Sequence, residues 1–69
     1  MSWKTLDPKT QDLAQALLTA KQLEVFRYWL DGHSNGTIAR ALSLDESAVR
    51  RRLRRALTRM EPHLRKTAA

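Results

Sequence analysis

Six arginines fall within ten positions: Arg50, Arg51, Arg52, Arg54, Arg55 and Arg59. A guanidinium is a planar fork that can hold a phosphate, or O6 and N7 of a guanine, with two hydrogen bonds. The chemistry on offer is therefore recognition of a poly-anion. Nothing comparable suggests catalysis or metal binding. His33 and His63 stand alone, without acidic or cysteine neighbours at ligand spacing, and there is no cysteine at all. Ser34 reads as a helix cap and not as a nucleophile, and no phosphate loop of the GxxxxGK type occurs. No enzyme, cofactor or metal is implied.

The charge is local. Residues 1–31 balance Lys4, Lys9, Lys21 and Arg27 against Asp7, Asp12, Glu24 and Asp31, and Arg40 balances Asp45. The whole net charge of +6 comes from residues 46–69, where Arg50 to Lys66 outweigh Glu46 and Glu61. Such a surplus marks where a poly-anion would dock. Sixty-nine residues allow one small domain. No apolar run reaches the roughly 18 residues of a spanning helix, and no signal peptide is evident. The expectation is a soluble cytoplasmic protein.

These arginines need a scaffold. Apolar residues recur at spacings of three and four, β-branched residues are scarce, and the chain reads as all-α, a small three- to four-helix bundle. Asp7 and Pro8 start a first helix over about 8–17, with Leu13 and Leu17 one turn apart and Leu6 placed to staple its start. Thr19 caps a second helix and Gln22 completes a capping box. Its apolar face is Val25, Phe26, Trp29 and Leu30, and Gly32 ends it. Ser34 caps a short third helix with Ile38, Ala39 and Leu42 inward and Gly36 as a weak spot. Asp45 caps the last helix. Residues 1–6 are expected to be frayed or extended. Pro62 is expected to close or kink the last helix, leaving 62–69 loose.

On the last helix, Val49, Leu53, Ala56, Leu57 and Met60 trace one face. Opposite that stripe lie Ser47, Arg51, Arg54 and Thr58, with Arg55 close by. Arg50 flanks one side, while Arg52 and Arg59 lie near the core edge on the other. A solvated charge run would need no such stripe. A membrane-surface helix would need a larger free apolar face, and RNA recognition would want stacking aromatics on the basic face.

Residues 34–60 have the make-up of a helix-turn-helix, whose second helix enters the DNA major groove. The pattern through Leu18, Thr19, Glu24, Val25, Gly32, Ser34, Ile38, Ala39, Leu42 and Val49 resembles the helix-turn-helix of LuxR-type regulators and of region 4 of sigma factors. The basic "AVRRRLRRAL" is closer to the sigma version. The departures are Ser43 for the usual turn glycine, Thr37 for an acidic residue and His33 for an apolar or aromatic one. No sigma region 2, receiver or ligand domain accompanies the pattern, so a stand-alone reader is expected.

The resemblance implies that Glu46, Ser47, Arg51 and Arg54 face bases. The start of the third helix offers N–H groups near Ser34 and Asn35 that can bind a phosphate, and Thr37, Arg50 and Arg55 are expected on phosphates as well. Glu46 has two open readings, as an acceptor from cytosine N4 or as a charge favouring a helix N-terminus. The function implied is a sequence-specific transcriptional regulator that binds double-stranded DNA. The alternatives are a module binding RNA polymerase or a sigma or anti-sigma partner, and a phage DNA-packaging or recombination accessory protein. A homodimer is a further expectation, with the first helix and residues 61–69 as its candidate surfaces.

Overall fold

The structure, a computed structural model, describes residues 2–68, and side chains as far as Leu64. Expectations for Met1, Ala69 and the side chains from Arg65 onward lie outside the described residues. Four helices make up the all-α fold among the described residues: α1 (Pro8–Leu17), α2 (Ala20–Leu30), α3 (Asn35–Leu42) and α4 (Glu46–Ala68).

The starts of α1, α2 and α3 are capped locally. The Asp7 carboxylate accepts from Lys9 N at 3.1 Å, with Pro8 in the first turn of α1. Thr19 Oγ1 accepts from Gln22 N at 3.1 Å, and Gln22 Oε1 accepts from Thr19 N at 3.2 Å, the complete capping box. Ser34 Oγ accepts from Thr37 N at 3.2 Å and donates to Thr37 Oγ1 at 3.0 Å. Thr37 thus joins the cap through its hydroxyl, where an acidic residue would reach back to the cap's own N–H.

Two helix ends share one design. After α2, Gly32 adopts φ 92°, Gly32 N donates to Trp29 O at 3.0 Å and His33 N to Tyr28 O at 3.2 Å. These are the paired bonds of a Schellman end, and the His33 ring meets the edge of Tyr28 at 5.5 Å across it. After α3, Leu44 N donates to Ala39 O at 2.8 Å in the same pattern, but the left-handed residue is Ser43, at φ 55° and ψ 46°. A Cβ in that conformation costs roughly 1–2 kcal/mol. The turn keeps its shape without the glycine and carries the strain.

The core has two parts. Leu6, Ala14, Leu18, Phe26, Leu30, Ala56 and Met60 form one cluster, and Val25, Ile38, Ala39, Val49 and Leu53 form the other. Leu57 packs against both. The α2 and α4 helices serve both clusters, so they are the struts on which α1 and α3 are hung.

Five expectations are corrected. Leu13 does not face the core and is 36 % exposed. The buried face of α1 is Thr10 and Ala14, where the small alanine lets the helix approach closely. Trp29 stacks at 6.1 Å on Phe26 but remains 37 % exposed, because Val25, Phe26 and Leu30 already fill the inward face of α2. Residues 2–6 are neither frayed nor extended but form a turn. Leu6 N donates to Trp3 O at 3.2 Å, Trp3 N to Asp31 Oδ1 at 3.1 Å, and Gln11 Nε2 to Trp3 O at 2.7 Å. Arg27 lies 5.0 Å over the Trp3 ring. Leu6 enters the core directly, since the residue a staple would need is the polar Gln11. Finally, of the two alternatives for Pro62, closure of the helix is corrected: α4 continues to Ala68. An interior proline costs about 3 kcal/mol. Leu64, packed on the first cluster one turn beyond Met60, gives the chain a reason to stay helical.

The two Schellman ends predict opposite outcomes. Ser43→Gly relieves the strain and should stabilise by about 1 kcal/mol, raising Tm by roughly 4–8 °C. Gly32→Ala meets no atom within 4 Å yet must adopt a positive φ. It should lower Tm by a comparable amount. Thermal melts of both variants check the pair, and a fall in Tm for Ser43→Gly would contradict it.

Candidate nucleic-acid interface

Val49, Ala56 and Met60 are fully buried and Leu53 nearly so, as the helical stripe requires. That anchoring fixes the roll of α4. Arg50, Arg51, Arg54 and Arg55 are exposed, together with Glu46 and Ser47, while Arg52 is half-buried at the core edge.

Arg50, Arg54, Arg55 and Arg59 line two grooves. Asn35, from the first turn of α3, shares one with Arg50, Leu53, Arg54, Leu57, Thr58 and Glu61. Gln22, from the first turn of α2, shares the other with Arg54, Arg55, Thr58 and Arg59. Arg54 and Thr58 stand on the ridge between them. Each groove therefore joins arginine forks to the start of a helix, where backbone N–H groups and the helix dipole favour an anion.

The expected site residues separate into groups. Asn35, Arg50 and Arg54 come together in one groove. Arg55 lies in the other. Ser47 and Arg51 are exposed on the face of α4 opposite the core. The hydroxyls of Ser34 and Thr37 are engaged with each other and with the cap of α3. Glu46 turns towards α3: its Oε1 lies 3.4 Å from where a Cβ on Gly36 would sit.

Two features were not legible beforehand. Gln22 is a cap residue in sequence, and nothing local announces its place beside Arg54 and Arg55. Arg59 donates through a guanidinium N–H to Leu17 O at 3.0 Å, 42 residues away. It closes the C-terminal end of α1, where a cation is favoured. Its position near the core edge hinted at a structural role, but its partner could not be read. Among the described residues no three His, Cys, Asp or Glu are grouped to hold a metal ion, and no helix is long and apolar enough to cross a membrane.

Arg59→Ala should therefore cost about 0.5–1 kcal/mol of stability through the lost bond to Leu17 O. Arg55→Ala should leave Tm within the roughly 0.5 kcal/mol scatter of surface changes. Equal melts for the two variants would contradict the assignment of Arg59 to the scaffold.

Comparison with known proteins agrees with this geometry. The family model described as bacterial regulatory proteins of the luxR family matches residues 16–69, which include α2, α3 and α4. No curated protein and no solved structure matches the chain. A capped three-helix unit, an exposed arginine face and a family match over most of the chain converge: the chain belongs to the luxR family of bacterial regulatory proteins, a DNA-binding helix-turn-helix domain of transcription regulation.

Proposed function

We propose that the domain is a sequence-specific transcriptional regulator whose helix α4, over residues 46–60, enters the major groove of double-stranded DNA. One observation carries the reading. Arg50, Arg51, Arg54 and Arg55 all lie on the exposed side of a helix whose other side is buried, and Arg50 and Arg54 share a groove with Asn35 from the first turn of α3. Ser47 and Arg51, near the start of α4 and opposite its stripe, read base edges with Arg54 beside them. A guanidinium there can hold guanine O6 and N7 with two bonds. Arg50 and Asn35 take a phosphate on one groove wall, and Arg55 takes one on the other. Phosphate contacts supply most of the affinity, so binding falls steeply with salt.

A domain of this size covers little DNA. A second copy, or a protein partner such as RNA polymerase or a sigma factor, would add to its hold. The half-exposed Trp29 and Leu13 are large apolar side chains open to such a contact.

Binding to random duplexes, and to duplexes selected from them, tests the assignment. Arg51→Ala should relax base choice at one position at a cost of about 1–3 kcal/mol. Arg55→Ala should weaken all sequences alike and reduce the salt slope by about one. No duplex binding by the intact chain at low salt would overturn the proposal and favour a role carried by protein contacts.

A further inference from the structure

Glu46 opens α4, yet its carboxylate rests on α3. Its Oε1 lies 3.4 Å and its Cδ 3.8 Å from the Cβ position of Gly36, the second residue of α3. Next to Gly36 in sequence is Asn35, which shares a groove with Arg50 and Arg54. A negative charge thus sits at the edge of the surface where those arginines would receive a phosphate.

That charge has two opposed effects. In the free protein it lies in the first turn of α4 and against the first turn of α3, so it complements the N-terminal ends of two helices. Towards DNA it is a like charge beside the path of a phosphate. Reading a base would require the carboxylate to leave Gly36 and turn outward with Ser47 and Arg51.

We infer that Glu46 is a charge gate on DNA binding: its carboxylate, resting beside Gly36, lowers the affinity of this edge for any nucleic-acid backbone. This rests on the DNA-binding proposal above. It sets Glu46 apart from the arginines of the same helix, since its removal should tighten binding.

Glu46→Gln tests it, because the amide keeps the shape and removes the charge. Its binding is compared with the intact wild-type chain on random duplex and on duplex selected by wild type, at low and at high salt, with a thermal melt of each protein. The expected result is about fivefold tighter binding to random duplex at low salt, near what one charge contact at about 4 Å in water is worth. The gain should shrink as salt rises and should be equal on the selected duplex. Tm should fall by about 2–5 °C as the helix starts lose their charge. An unchanged affinity for random duplex would overturn the inference. So would a loss confined to the selected duplex with choice relaxed at one base pair, which would make Glu46 a base reader. If wild type and variant both bind no duplex at low salt, the DNA-binding proposal falls and the gate with it.

Discussion

The burial of one stripe on α4 sets everything else. Val49 and Leu53 enter the cluster shared with α3, Ala56 and Met60 enter the cluster shared with α1, and Leu57 bridges the two. Burying a side chain of the leucine or methionine class contributes about 1.5–3 kcal/mol. An exposed ion pair contributes at most about 1 kcal/mol. The apolar residues therefore decide how the helix is rolled, and the arginines take the directions left over. A roll of one residue would swing Arg50 and Arg54 towards the core, where unpaired charge costs several kcal/mol. The same constraint that folds the domain thus presents its basic surface.

What could be read in the sequence was local. The stripe of α4, the capping box at Thr19 and Gln22, the caps at Asp7 and Ser34 and the glycine end at Gly32 all follow from residue type and spacing. Their physics spans one or two turns, so one stretch of chain contains all of it. The roll of α1 was not legible, because choosing Ala14 over Leu13 as the inward residue depends on how near Phe26 and Met60 stand. The docking of Trp3 onto Arg27 and Asp31, and of Arg59 onto Leu17 O, spans tens of residues and needs the packed fold. Pro62 was misleading for the same reason. Its local penalty is real, and Leu64 on the core runs against it.

The candidate site divides along the same line. The exposed side of α4 could be deduced from its buried side, so Ser47, Arg51 and Arg54 were legible as an outward face. The partners contributed by other helices were less so. Asn35 joins Arg50 and Arg54 as its place at the start of α3 suggested, whereas the hydroxyls of Ser34 and Thr37 are turned to the cap. Glu46 shows most clearly what sequence leaves open. Both of its readings fit the helical wheel, and its place beside Gly36 on another helix could be read from neither. Ser43 is a parallel case in the backbone, where the turn demands a left-handed residue and the chain supplies a serine.

The central claim is that a single anchored helix sorts its arginines into those that meet DNA and those that hold the fold. The most direct measurement is an NMR titration of the intact chain with a short duplex at low salt, following guanidinium and backbone resonances together. The account predicts shifts in the side chains of Arg50, Arg51, Arg54 and Arg55 and in the amides of residues 34–37, with Arg59 unmoved on Leu17 O. Shifts centred instead on Trp3, Leu13 and Trp29, with those four arginines silent, would contradict it.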